Sequence, residues 1–384
     1  MLRAMAASHQ NERGGPTVTT DLGHGRKRHG RRAGAERRTP EVLLTPYRPV
    51  ALVDAHGSAC TAAAAARDKG GISVAHHRRF AVALLVSLLI LSACTGSKSE
   101  VEMGESDDNR SETTMHETTL EVATDIAVGY TDRGDGPPVL LIHAGVFADW
   151  FVPMATEPVL DRFRVVRLRR AGYLEGRRPG HHVTLADHAA HAAAVADELG
   201  MRDAVVVGHS SGALIALELA AARPDIVASL VLFEPAPGGA LAPDGVRMGI
   251  AEALNGLDVE ARYDAFMAGA PDHRDVVRAA LGDDGLARAI EESRWFFDDE
   301  VTAVNEWSFD TTRASSIHQP TTVIAGSNPM YRDIARRLAS WLPRSTTITL
   351  DHADHLLPLR QPDVLAHLVA DAVGACEVDR CPTE

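Results

Sequence analysis

Ser210 lies in Gly208-His209-Ser210-Ser211-Gly212, directly after the apolar run Ala204-Val205-Val206-Val207 and directly before Ala213-Leu214-Ile215-Ala216-Leu217-Glu218-Leu219-Ala220. A strand, a sharp turn and a helix in that order lift a serine hydroxyl above the end of a sheet. Glycines on both sides suit a strained turn that neighbouring backbone approaches closely. A serine hydroxyl is a weak nucleophile at neutral pH and needs a base within hydrogen-bond reach, with a third group to orient that base. A serine that only caps a helix would explain Ser210 but not the flanking glycines or the apolar strand before it.

The favoured base is His355, in Leu350-Asp351-His352-Ala353-Asp354-His355-Leu356-Leu357-Pro358. A loop after the last strand can reach back over the serine, and His352 competes for the role from three residues earlier. His209 is expected to point away from the hydroxyl, and His143 to shape the turn below it. A developing oxyanion needs two aimed donors. One is the backbone N–H of Ser211, and the other comes from Gly145, or from Val146, in the loop after Val139-Leu140-Leu141-Ile142-His143. For the orienting acid, the run after 321–325 is Gly326-Ser327-Asn328-Pro329-Met330, which holds no carboxylate, and Asp333 falls well into the next helix. Glu234, at the end of the strand over 226–233, is favoured because it can reach the same histidine from the other side. Asp333, Asp354 or a weaker dyad supported by Asn328 stay open.

These residues need a frame. Strands are expected at 119–123, 126–130, 139–143, 164–168, 203–207, 226–233, 321–325 and 346–350. Helices are expected over 185–199, after Gly212, and over 363–373, with Asp187 in the first turn of the 185–199 helix and Gly200 at its end. Near-continuous apolar strands alternating with helices predict an α/β fold with a mostly parallel sheet covered on both faces. Residues 238–318 break that rhythm with helical stretches at 246–254, 258–268, 273–281, 284–297 and 299–306. They carry Tyr263, Phe266, Trp295, Phe296, Phe297, Trp307 and Phe309. They read as a helical lid whose aromatic residues are shared between its own core and an apolar pocket. The core is then 119–237 and 319–375, with a tail at 376–384.

His143-Ala144-Gly145, Arg169-Arg170-Ala171-Gly172-Tyr173, the serine pentapeptide and Asp354-His355 together resemble the α/β-hydrolase fold superfamily, in its lidded esterase, lactonase and haloperoxidase-like branch. The resemblance covers about residues 119–375. It implies that Ser210 attacks, His355 activates it and the His143-Ala144-Gly145 loop donates to the oxyanion. Some relatives carry the acid after the earlier strand, which suits Glu234. Two departures stand out: Ala144 replaces a common glycine, and the usual late aspartate is absent. Serine at the elbow separates the chain from the epoxide-hydrolase and haloalkane-dehalogenase relatives, which use an aspartyl ester.

The first part of the chain has a different character. Residues 1–80 carry 14 Lys and Arg against 6 Asp and Glu, whereas the whole chain of 384 residues has a formal charge of −13. The body is therefore acidic, which argues against phosphate-backbone binding and so against a nucleic-acid partner. Residues 1–73 show no periodicity and read as disordered or not translated in the native protein. His76-His77-Arg78-Arg79, the apolar run Phe80–Leu91 and Ser92-Ala93-Cys94 follow the order of an export signal. The segment 74–93 resembles a bacterial lipoprotein signal with Leu91-Ser92-Ala93-Cys94 as its lipobox and Val74 as a candidate start. That resemblance implies a diacylated Cys94, a membrane attachment and an extracytoplasmic location. The polar, acidic stretch 94–118 reads as a tether. With Cys94 lipidated and Cys60 removed, Cys376 and Cys381 remain, five apart, and outside the cytosol they suit a small-loop disulfide. The sequence holds no convincing set of metal ligands.

The resulting expectation is an anchored serine hydrolase that needs no metal or organic cofactor and takes a small apolar ester or lactone. The alternatives are a cofactor-free, haloperoxidase-like perhydrolase using the same serine, or a ligand-binding or signalling protein on a hydrolase scaffold.

Overall fold

The alternation of side chains along the inner strands decides how the sheet is covered. The computed structural model describes residues 116–242, 249 and 254–380. The leader over 74–93, Cys94, the tether up to residue 115, most of the helix expected at 246–254, and Cys381 lie outside the described residues. Strand β3 (Pro138–Ile142) and strand β5 (Ala204–His209) pair in parallel. Leu140, Ile142, Ala204 and Val206 join the apolar cluster on one face, while Val139, Leu141, Val205 and Val207 join the cluster on the other. Period-two side chains that are apolar on both faces must be roofed twice.

The remaining strands are β1 (Thr118–Ala123), β2 (Ile126–Arg133), β4 (Arg164–Arg169), β6 (Val227–Phe233), β7 (Thr321–Ala325) and β8 (Ser345–Thr349). They form one eight-stranded sheet in the order β1-β2-β4-β3-β5-β6-β7-β8. Pairing is parallel from β4 to β8 across the sheet, and antiparallel only where β2 meets β1 and β4. Every strand expected from the sequence is present. Strand β4 lies on one side of β3 and β5 on the other, so the chain reverses its direction of winding at β3. Open parallel sheets bind ligands outside the carboxyl ends of the strands at such a reversal.

Helix α1 (Leu185–Glu198) starts with a reciprocal cap: Thr184 Oγ1 accepts from Asp187 N at 3.1 Å, and Asp187 Oδ2 accepts from Thr184 N at 2.9 Å. It packs with α2 (Ser211–Ala222) in the larger apolar cluster. The segment expected to form a lid contributes α3 (Val259–Met267), α4 (His273–Trp295) and α5 (Val301–Glu306). Gly282, at φ 76° and ψ 177°, breaks α4 where the sequence expects two helices to meet. A wider π-type turn, Phe296–Glu300, joins α4 to α5. Helix α6 (Pro329–Trp341) follows β7, and α7 (Pro362–Arg380) closes the fold, with Leu365, Ala366, Val369, Ala370 and Val373 on the second apolar face. That helix continues beyond the expected 363–373, so Cys376 sits on it, half-buried against the same face, rather than in a tail. No helix among the described residues is long and apolar enough to cross a membrane.

The tightest junction lies where α2 begins. A Cβ built on Gly212 would sit 2.2 Å from the Ile142 carbonyl oxygen and 2.4 Å from that of His143. The start of α2 therefore rests directly on the end of β3. Gly212→Ala is expected to cost roughly 1–3 kcal/mol of overpacking strain, read as a lower urea midpoint. Gly180→Ala, with no heavy atom within 4 Å of its Cβ, is expected to leave the midpoint unchanged.

Candidate active site

Strand β5 delivers Ser210 in a conformation that few residues adopt, φ 54° and ψ −118°. Such strain persists only where surrounding structure holds it. Here the Ser210 amide donates to the Phe233 carbonyl at 3.0 Å, and the Ser210 carbonyl accepts from Ala213 at 3.0 Å and Ala236 at 3.1 Å. The elbow is thus stitched to the end of β6. His209 pairs with Phe233 in the sheet register, which sets Ser210 and Glu234 side by side at the carboxyl ends of neighbouring strands.

Glu234 is fully buried and also has a positive φ, 40°. Its amide donates to the Ile324 carbonyl at 2.8 Å. Its Oε1 accepts from the Gly326 amide at 2.9 Å, and its Oε2 lies 2.6 Å from His355 Nδ1. With a carboxylate on Nδ1, the ring proton sits there and Nε2 keeps the lone pair that a general base needs. The other acids left open by the sequence are engaged elsewhere: Asp333 pairs with Arg336 and Asp354 with Arg360. Asn328 caps α6, its side chain accepting from Met330 N at 2.9 Å. His352 occupies an exposed, left-handed turn position at φ 66°.

The loop after β3 is the other half of the site. Gly145 O accepts from Phe147 N at 3.0 Å and from Trp150 Nε1 at 2.9 Å, so the Gly145–Val146 peptide is held in one orientation. Val146 sits at φ 75°, a strained choice for a β-branched residue. Below it His143 Nε2 accepts from the Arg170 amide at 3.1 Å, leaving Nδ1 to donate to Ala144 O at 2.6 Å. Burial first and the Arg170 charge second push the His143 pKa well below its usual range, so the ring is a neutral brace.

Residues 139–368, more than half of the chain, match the model of the alpha/beta hydrolase family. The chain belongs to that family. A pimeloyl-[acyl-carrier protein] methyl ester esterase from Methylococcus capsulatus is 29% identical over 246 residues, covering 63% of this chain and 85% of that protein. A putative non-heme haloperoxidase from Mycobacterium phage D29 is 32% identical over 126 residues, 32% of this chain and 45% of the other. Several of these curated relatives, including the phage protein, are matched over less than half of their own length. Among solved structures, the enol-lactonase from Burkholderia xenovorans LB400 superposes with a TM-score of 0.57 at 18% identity, over 67% of this chain and 100% of that one. That likeness speaks to the hydrolase fold alone.

In this member of the family the helical segment after β6 is bolted to the candidate site by buried charge. Arg170 and Glu300 have no exposed side-chain surface. Arg170 Nη2 donates to Glu300 Oε1 at 3.0 Å, to Oε2 at 3.2 Å and to Ala144 O at 2.9 Å. The Tyr173 hydroxyl donates to Glu300, and burial together with that carboxylate holds its pKa well above the usual range. The π-type turn aims Phe296 and Glu300 at the same loop, as a Cβ on Gly145 would meet the Phe296 ring at 2.4 Å and Glu300 Oε1 at 3.3 Å. A second bolt lies beside it. Glu292 Oε2 accepts from Ala148 N at 2.7 Å and Oε1 from Arg169 at 2.5 Å, while Arg169 also holds Asp149 at 2.6 Å.

The aromatic residues of the 238–318 segment are largely removed from water. Tyr263, Trp295, Phe296, Phe297, Trp307 and Phe309 are all buried, and Phe266 is half-buried. Phe296 and Phe297 pack with Phe266 and share an apolar cluster with Ala144, Val146, Phe147 and Trp150 of the loop after β3, while Trp307 stacks on Phe309 at 5.0 Å over the main core. Glu300 and Glu292 were not legible as site residues, because they lie in a charged helical stretch with no distinctive spacing. Arg170 stands out in the sequence only as part of Arg169-Arg170-Ala171-Gly172-Tyr173.

Burial raises the Glu292 pKa from its ordinary 4.5 to about 7, with Arg169 opposing and Asp149 assisting. A carboxyl whose pKa rises on folding favours the folded state when protonated. Its contribution is therefore present below pH 4.5 and lost as pH climbs toward 7. Relative to Glu292→Gln, the wild-type melting temperature is expected to fall between those values and to run parallel above them, as measured by scanning calorimetry across pH 4.5–8.

Proposed function

We propose that this chain is a serine hydrolase that cleaves a small carboxylic ester or lactone through an acyl-enzyme. The observation that carries the reading is the Glu234–His355 contact of 2.6 Å set beside the strained Ser210 elbow. His355 Nε2 takes the Ser210 proton as Oγ attacks the carbonyl carbon. The imidazolium that forms is held by Glu234. The tetrahedral oxyanion is met by the Ser211 N–H at the start of α2 and by the Gly145 amide, or that of Val146, in the strained loop. His355 then protonates the leaving alcohol, and in a lactone that alcohol stays tethered to the acyl group. Water activated by His355 releases the acid and restores Ser210. No step calls on a metal or an organic cofactor.

The esterase similarity supports the choice of ester chemistry. The haloperoxidase similarity supports a second reading, in which hydrogen peroxide replaces water in the final step and a peracid leaves. The lipoprotein-like segment supports a further part of the proposal: Cys94 carries acyl chains and holds the enzyme at an extracytoplasmic membrane surface, with residues up to 118 as its tether. Mass analysis of the native amino terminus is expected to give a diacylated Cys94, and an unmodified chain starting before residue 74 would refute that part.

Wild type is expected to hydrolyse short chromogenic esters and to label with a fluorophosphonate. Ser210→Ala should abolish labelling and lower kcat/KM at least about a thousandfold, and His355→Ala should do nearly as much. Glu234→Gln should lower kcat/KM roughly 100- to 10,000-fold, because the wrong tautomer of the imidazole is then favoured. Activity surviving in folded Ser210→Ala, or full activity in Glu234→Gln, would overturn the assignments. Peracid formation with acetate and hydrogen peroxide at a rate above ester hydrolysis would select the second reading.

A further inference from the structure

The loop after β7, which has no carboxylate facing the base, brings a different side chain to His355. Asn328 and Pro329 start α6 immediately after β7, and the first turn of that helix carries Tyr331. The Tyr331 ring stacks on the His355 imidazole with centroids 4.8 Å apart and planes within 8°. The same imidazole also meets His209, with centroids 4.4 Å apart at 49°, and Trp150, at 6.0 Å and 73°. Arg332, the next residue of the helix, locks the arrangement by donating from Nε to the Gly326 carbonyl at 2.8 Å. The Gly326 amide meanwhile donates to Glu234 Oε1. One short segment therefore holds both the acid of the pair and the ring that lies flat against the base.

We propose that Tyr331 is a positioning residue for His355: its π face fixes the imidazole plane and stabilises the imidazolium. A cation against an aromatic face is attracted by the ring quadrupole, more strongly where water is excluded. The charged and titratable groups around His355 are few. Glu234 from β6 lies 2.6 Å from His355 Nδ1. His209 from β5 is kept neutral, its pKa pushed well below the usual range by burial and then by His355. Asp354 on the same loop is paired with Arg360. Tyr331 itself stays a neutral phenol, its pKa raised by burial and by the Glu234 charge. The stack is thus the uncharged partner of the imidazolium, working alongside the ion pair with Glu234.

The proposal uses His355 as the base of the hydrolase reading, so its test includes a readout that does not need turnover. In the full chain labelled with 13C-histidine, the His355 resonance is assigned by its loss in His355→Gln and titrated by NMR. Tyr331→Leu keeps the site apolar but removes the π face, and Tyr331→Phe keeps the face. The His355 midpoint is expected to fall by about half a unit to one unit in Tyr331→Leu and to stay at the wild-type value in Tyr331→Phe. The acidic limb of the kcat/KM profile should move with it, and kcat should drop about 3- to 30-fold in the leucine variant only. A leucine variant that titrates and turns over like wild type would overturn the proposal, as would a phenylalanine variant as impaired as leucine. A lowered midpoint in a protein that never labels with fluorophosphonate would uphold the stack and remove the hydrolase reading instead.

Discussion

The Arg170–Glu300 ion pair is the contact on which the geometry of the site depends. Both side chains are wholly removed from water. Such a pair gains little net stability over an apolar replacement, but losing either partner leaves an uncompensated buried charge. The lid therefore has a definite seat: Glu300 must meet Arg170 wherever the rest of the lid goes. Because Arg170 also donates to the Ala144 carbonyl, and its amide holds His143, that seat and the oxyanion loop are set by one residue. Glu292, eight residues before Glu300, repeats the device with Arg169 and Asp149 and ties α4 to the Ala148 amide. The two bolts together make the segment a fixed roof over the start of the loop.

Backbone strain is concentrated where the chemistry is proposed. Val146, Ser210 and Glu234 all have positive φ, and all three follow the carboxyl ends of adjacent strands β3, β5 and β6. None is glycine, so each conformation costs energy that the surrounding hydrogen bonds and packing must offset. The Ser210 peptide is bonded to Phe233 and Ala236, Glu234 to β7, and the Gly145 carbonyl to Trp150 and Phe147. Rigidity of this kind suits a site whose donors must already point at a charge that appears only during reaction. The aromatic stack on His355 extends the same logic to a side chain, since an imidazole in contact with both Tyr331 and His209 and bonded to Glu234 has little freedom to turn.

Much of this was readable before any coordinates. Apolar strands at regular intervals, with Gly208-His209-Ser210-Ser211-Gly212 after one of them, leave few folds other than a parallel sheet with a serine elbow. Glu234 was legible because it ends an apolar strand next to the elbow strand, and because the stretch after β7 offers no rival carboxylate. His355 was legible from its place after the last strand. By contrast, the lid aromatic residues were only half understood. Composition marks Trp295, Phe296 and Phe297 as apolar, yet burial against the core and exposure to a cleft demand the same residue types.

What the sequence by itself determined was local: which segments become strands and helices, where a strained turn must fall, and which residue types are available there. Those follow from side-chain periodicity and from short-range backbone preferences, which act over a few residues. Tertiary structure alone brought Glu300 to Arg170 across 130 positions and laid Tyr331 flat on the His355 imidazole, while for Glu234, already a candidate by its place at a strand end, it set the 2.6 Å contact with His355 and turned Asp333 and Asp354 to other partners. Charges buried far apart in the chain carry no periodic signal. Their pairing is set by the packing of the inserted helices and the sheet, which brings them to partners that can neutralise them out of water.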